Sequence, residues 1–369
     1  MTVRNMDVFN SMEAWAPKWL AYDWDNVGLQ IGSYQTSVNK VMVTLDVLES
    51  TVDEAIANNV NLIIAHHPLL FKPLKQLDTD SPKGRVIRKL IAWDISVYAA
   101  HTNLDMANGG VNDMLCDRIG IYHRDILSVN YTEKMIKMVV FVPESHADEV
   151  REAMSEQGAG HIGDYSHCTF QSAGQGTFKP LEGTDPYIGS QDTLAFVDEV
   201  KMETIIPQYK LSSVVDAMMA AHPYEEAAYD LYPVENSGPS YGLGRIGVMD
   251  ESMSLNELSD RIKKTLNISR VRVTGDLSAT VKRIAVLGGS GEKYLHEAKK
   301  AGADVYITGD MTLHPAQDAQ EMGLSMIDPG HYAEKVMKDD TKAYLDKEFS
   351  KDVLNVIVSQ ANTDPFQIV

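Results

Sequence analysis

The chain has 369 residues, 44% of them hydrophobic and 8% aromatic, enough apolar material for two compact units. Its 52 acidic against 33 basic residues leave a formal charge of −19, which repels polyanions and argues against nucleic acid and anionic membrane as bulk electrostatic partners. Cys116 and Cys168 stand far apart without a paired spacing, which suggests neither a disulfide framework nor a thiolate zinc site; the first twenty residues lack the apolar core of a signal peptide, no apolar run is long enough to span a bilayer, and a cytoplasmic protein is expected.

From Val38 the chain reads VNKVMVTLDV, then ESTVDEAIANN, then VNLIIAHHP, a strand, a helix and a strand with β-branched apolar residues on each strand. The helix KGRVIRKLIAWD leads to the strand ISVYAAHTNLD. Such alternation predicts parallel strands joined by helical crossovers. Between about Tyr131 and Val234 the grammar changes to β-α-β-β-α-β, the order of a split ferredoxin-like unit: MIKMVVFVP, SHADEVREAMSEQ, YSHCTFQSAGQGTFKP, TLAFVDEVKMETIIP, LSSVVDAMMAAH and EEAAYDLYPV. Glycine and proline cluster after it in ENSGPSYGLGRIG, as in a linker. Strand-helix alternation then resumes in VKRIAVLGG, GEKYLHEAKKAGA, DVYITGD, HPAQDAQEMG and LSMIDPGH. Laying EAIANNVNLIIAHH over EAKKAGADVYITGD sets His67 opposite Asp310, and ISVYAAH over LSMIDPGH brings His101 within one position of His331, so the outer segments read as two related halves. The fold class expected is therefore α/β, one discontinuous domain at 1–126 and 240–369 interrupted by a ferredoxin-like α+β insert at 127–239.

Ligands of open α/β sheets bind at the carboxyl ends of strands. IIAHHP places His66 and His67 there; neighbouring side chains on an extended chain point apart, so the pair suits two ions side by side better than one. Other strand ends carry the same residue classes: Asp46 after VMVTL, His101 and Asp105 after ISVYAA, Asp310 and later His314 after DVYIT, and His331 and Glu334 three apart after LSMI. Neutral imidazole with carboxylate suits zinc first, with iron, manganese, nickel and cobalt as alternatives. His101 is expected to orient Asp105 or meet substrate, Asp46 to line the site, and Asp310 and His314 to line it or cap the following helix. Gly242, Gly244 and Gly247 match a dinucleotide spacing without its strand-to-helix context. Gly288, Gly289 and Gly291 do lie between a strand and a helix, where backbone amides could hold an anion.

The segments YDWDNVGLQIG, IIAHHPLLF, YAAHTNLD, GRIG and DPGHYAEK together resemble the NGG-interacting-factor-like proteins, also labelled GTP cyclohydrolase type 2 homologs, over Met1 to Tyr122 and Tyr241 to Val369. The resemblance implies two α/β halves enclosing a dinuclear centre, a toroidal homohexamer, and His66, His67, Asp105, His331 and Glu334 as ligands with the two carboxylates bridging. AHPYEEAAYDLYPV, from Ala221, is similar to trimeric CutA-like and PII-like domains, which implies an insert concerned with assembly, access or sensing, and a packing role for His222 and Glu225. A hydrolase acting on a nucleotide, phosphoester or cyclic amide is the first functional expectation. A non-catalytic, metal-scaffolded ring whose insert senses a small molecule is the alternative.

Overall fold

The computed structural model describes residues 2–367. By their internal contacts these fall into two units, Met1–Tyr131 with Tyr241–Val369, and Thr132–Ser240. Tyr131 and Tyr241 belong to the outer unit because both rings pack with Trp19, while Asn130 bonds Tyr22 and the Leu243 amide.

In chain order the first segment forms α1 (Asn5–Trp15), β1 (Gly28–Ile31), β2 (Lys40–Thr44), α2 (Glu49–Ala57), β3 (Leu62–Ala65), α3 (Pro82–Ala92), β4 (Ser96–Ala99), α4 (Thr102–Met106), α5 (Val111–Ile119) and β5 (Tyr122–Pro143). Strands β2, β3 and β4 run parallel, and β1 closes one edge antiparallel to β4. These strands are apolar on both faces because both are covered. Val41, Val43, Leu62, Ile64 and Tyr98 face the main core, and Met42, Ile63 and Val97 face a second core made with α2 and α3. Each such side chain contributes roughly 1.5–3 kcal/mol of burial.

The inserted unit holds α6 (Ala147–Glu156), β6 (Thr169–Phe178), β7 (Ala195–Pro207) and α7 (Leu211–Ala221) between β5 and β8 (Tyr229–Ser254). β7 pairs antiparallel with both β6 and β5, and Met138, Val140, Val150, Met202, Val214 and Met218 form its core. His222 donates from Nε2 to the Phe141 carbonyl and accepts the Tyr224 amide at Nδ1, so both its nitrogens are engaged within the unit.

The expected linker ENSGPSYGLGRIG is instead strand, part of the 26-residue β8. Its glycines serve close approach: a Cβ at Gly242 would stand 2.0 Å from the Ser128 carbonyl oxygen, and one at Gly247 2.5 Å from that of Tyr122. Between them Arg245 is buried, its guanidinium bonded to the Asp113 carboxylate and to the carbonyls of Ala107, Gly242 and Gly244.

The last segment gives α8 (Leu255–Thr265), β9 (Arg272–Thr274), β10 (Thr280–Ser290), α9 (Leu295–Lys300), β11 (Val305–Gly309), α10 (Leu313–Glu321), β12 (Ser325–Asp328), α11 (Met337–Glu348) and β13 (Asn355–Val358). β10, β11 and β12 run parallel, with β8 and β9 antiparallel at either side. Each outer segment thus builds three parallel strands with helical crossovers, and β13 returns to pair with β2 in the first sheet. Apolar residues of both sheets and of α1, α5 and α11 share the main core. Among the described residues no helix is long and apolar enough to cross a membrane.

Candidate metal centre

The carboxyl ends of the parallel strands of both sheets deliver the polar residues. β3 ends at Ala65, and the His66 and His67 amides continue its ladder by donating to the Thr44 and Leu45 carbonyls, which fixes the two imidazoles side by side. His101 follows β4, and Asp105 lies in the short α4. After β12 the chain turns at Gly330 into a 3-10 helix, His331–Val336. Side chains three apart eclipse in a 3-10 helix, so His331 Nε2 stands 3.2 Å from Glu334 Oε2. That oxygen also lies 3.2 Å from His67 Nε2 and 3.8 Å from His66 Nε2, while Asp105 Oδ1 lies 3.5 Å from His66 Nε2.

Four imidazoles are held from behind through Nδ1. His66 Nδ1 meets the Ala100 carbonyl at 2.8 Å; a carbonyl only accepts, so Nδ1 carries the proton and a neutral His66 turns a lone pair inward from Nε2. His67 Nδ1 is 2.7 Å from Asp46, His101 Nδ1 2.9 Å from Asp25, and His331 Nδ1 2.6 Å from Asp310. A carboxylate or carbonyl behind each ring, with the far nitrogen facing in, is the arrangement that orients histidine ligands of metals. The donor atoms form three overlapping groups, His66 with His67 and His101, His67 with His331 and Glu334, and His66 with Asp105 and Glu334, each group within 4.8 Å.

The residues fit a metal on an observation of the protein itself. Among the described residues, His66 Nε2 and Asp105 Oδ1 are buried and have no hydrogen-bond partner. Leaving such groups unpaired costs roughly 1–3 kcal/mol each, and a cation is what an imidazole lone pair and a carboxylate oxygen would both satisfy. The charges of the metal-free chain agree. Burial opposes charging of His67, but hydrogen bonds to Asp46 and Glu334 outweigh it and lift its pKa to about 10. The bond to Glu334, against burial, lifts His331 to about 9. Burial raises Asp105 to about 6, whereas Glu334, also buried, is held well below the usual carboxylate range by His331, His66 and His67.

The Duf34/NIF3 (NGG1p interacting factor 3) profile matches residues 1–365. The chain belongs to the NIF3 family. A relative from Bacillus subtilis, named GTP cyclohydrolase 1 type 2 homolog, is 48% identical over 99% of this chain and 98% of its own. Among solved structures, a Bacillus cereus protein related to NIF3 matches at 47% identity and a TM-score of 0.93, covering 100% of both chains. The Staphylococcus aureus protein SA1388 matches at 36% and 0.80, covering 100% of this chain and 99% of that one.

Within this NIF3-family chain, His66, His67, Asp105, His331 and Glu334 converge, and His101 stands among them with a nitrogen close enough to belong to one group. Asp46 and Asp310 lie directly behind His67 and His331. His314 does not join them; it is exposed and bonds Gln317 within α10. The glycines of the expected anion loop act differently from that expectation. The Gly288 amide donates to Asn112 and the Gly291 amide to Thr308, so neither is available to an anion. What they supply is room: a Cβ at Gly289, whose φ is +65°, would lie 2.7 Å from Glu334 Oε1.

Asp25 was missed by residue-type reasoning, because it follows no strand end. Its buried carboxylate accepts from His101 Nδ1, the Thr102 amide and the Thr102 hydroxyl; against the effect of burial, these bonds hold its pKa at about 2. The segment YDWDNVGLQIG was the available signal. Thr363, whose hydroxyl donates to the second oxygen of Asp46, left no sequence signal at all.

Proposed function

We propose that this chain is a dinuclear metal-dependent hydrolase. The observation that carries the reading is the set of overlapping donor groups with Glu334 common to two of them. Asp105 and His331 never fall in the same donor group, and one carboxylate common to the two groups that hold them is what a bridged pair uses. His66, Asp105 and Glu334 would hold one ion and His67, His331 and Glu334 the other, with Glu334 and Asp105 available as bridges. Neutral imidazole and carboxylate favour zinc, with iron, manganese, nickel and cobalt compatible with the same donors. A pair of such ions supplies Lewis acidity to a carbonyl or phosphoryl oxygen and acidifies a water.

The residues around the donors do the remaining work. Asp46, Asp310 and the Ala100 carbonyl hold three rings in position. His101, backed by the charged Asp25, is placed to move a proton on a bound substrate. A nucleotide, phosphoester or cyclic amide fits this chemistry, and the charge of −19 argues against a polyanionic nucleic acid. The inserted unit is read as ferredoxin-like, after its β-α-β-β-α-β order, and as the part that makes trimeric contacts within a cytoplasmic homohexameric ring. The test is a hydrolase substrate panel run on metal-loaded wild type and Glu334→Ala. Turnover in the wild type that disappears in the variant supports the enzyme. A fully loaded wild type inert across the panel overturns it in favour of a metal-scaffolded, non-catalytic ring.

A further inference from the structure

Beside His101 the surface changes character. Trp24 is 58% exposed and Phe71 42% exposed, although both border the His101 ring. Their rings stand 5.9 Å apart at 63° to one another, and each is 6.4 Å from the His101 ring in an edge-on arrangement. Tyr22 stacks on one side of Trp24, with centroids 5.4 Å apart and planes 16° apart. His101 is in turn 5.3 Å from His66 and 5.6 Å from His67, ring to ring, so the aromatic pair borders the donor cluster through a single imidazole.

The pair is held in place from behind. Asn26 donates to the Leu70 carbonyl at 2.6 Å and Gln30 accepts the Leu70 amide at 3.1 Å, which ties the turn carrying Phe71 to the segment carrying Trp24. Asp25, adjacent to Trp24, is anchored on His101 and Thr102. Two large aromatic side chains fixed in position and left in water beside a polar site mark a recognition surface. Their reach, one ring's width from His101, matches a ligand that presents a polar group to the donor cluster and a flat ring outward.

We infer that Trp24 and Phe71 are specificity-determining residues that stack a planar conjugated ring of the substrate, while its reacting group lies at the cluster of His66, His67, Asp105, His331 and Glu334. This rests on the hydrolase reading and narrows it. Substrates carrying a nucleobase-like or other flat heteroaromatic ring are selected over open-chain phosphoesters and saturated amides.

The test uses two chelating probes that differ only in the ring, benzohydroxamate and acetohydroxamate, titrated into the metal-loaded full-length chain by calorimetry. Wild type is expected to bind benzohydroxamate about tenfold tighter, the order of advantage that aromatic stacking gives. Trp24→Leu and Phe71→Leu, separately and together, are expected to remove that advantage while acetohydroxamate affinity and metal content per chain stay within about twofold, as loss of stacking alone requires. Equal affinity for the two probes in wild type, or an advantage that survives in the double variant, overturns the inference. A chain that takes up no metal and binds neither probe instead overturns the metal centre itself, so the two failures are distinct.

Discussion

Replacing Gly289 by alanine separates a glycine that makes room for a metal ligand from one that offers its amide to an anion. Gly289 has φ +65°, and alanine held there costs about 1–2 kcal/mol of backbone strain. The new Cβ would stand 2.7 Å from Glu334 Oε1 and 3.3 Å from His331 Nε2. Ordinary contact begins near 3.4 Å, so the carboxylate must retreat by about 0.7 Å, from 3.4 minus 2.7, and it is buried on its other sides. Metal constellations tolerate displacements of about 0.5 Å. Zinc affinity is therefore expected to fall roughly 10–100-fold, the range found when a ligand's supporting contact is lost. The assay is competition for zinc with a chromogenic chelator, with circular dichroism to confirm the fold. Two neighbours calibrate it. Gly288→Ala would place Cβ 3.1 Å from the same oxygen at an ordinary φ and should cost less affinity. Gly291→Ala would place Cβ 2.4 Å from Thr308 Oγ1 and 2.5 Å from the Tyr306 hydroxyl, and should lower stability with little direct effect on zinc. Wild-type zinc affinity in folded Gly289→Ala refutes the reasoning.

Asp46→Asn removes the charge behind His67 and should weaken metal binding roughly 10–100-fold without unfolding the chain, measured by the same competition. Asp25→Asn should lower turnover more than metal content, because the group it anchors, His101, is assigned to the substrate; equal losses would place His101 among the ligands. Metal affinity should rise with pH. His67 and His331, at about 10 and 9 in the metal-free chain, carry protons at neutrality that a cation must displace. Displacing two protons makes apparent affinity climb up to about a hundredfold per pH unit, flattening above pH 9 to 10, and a pH-independent affinity contradicts the ligand set. Arg245→Ala leaves the Asp113 carboxylate without its buried partner and should cost roughly 3–5 kcal/mol in urea unfolding.

The alternation of parallel strands and crossovers was legible because strands covered on both faces, such as LIIA and SVYA, leave continuous apolar runs. The placement of His66, His67, Asp105, His331 and Glu334 followed from the same fact, since these residues lie just beyond such strand ends and strand ends converge. β1 and β13 were not legible, because each lies outside the strand-helix alternation and acquires its meaning from a partner far away in the chain, β4 and β2. ENSGPSYGLGRIG misled because glycine and proline mark turns by local conformation, whereas here the glycines answer to the backbone of β5, a long-range contact. Asp25 and Thr363 escaped for a related reason: what matters about each is the partner it meets in space, His101 and Asp46. Residue type alone carries no trace of that.

Counting metal decides the central claim most directly. Purified chain, stripped and reloaded with excess zinc and then desalted, should hold two ions per chain by elemental analysis, and Glu334→Ala, which removes the carboxylate shared by two donor groups, should hold neither tightly. Saturation at one ion per chain in the wild type, or two ions retained by folded Glu334→Ala, contradicts a bridged dinuclear centre.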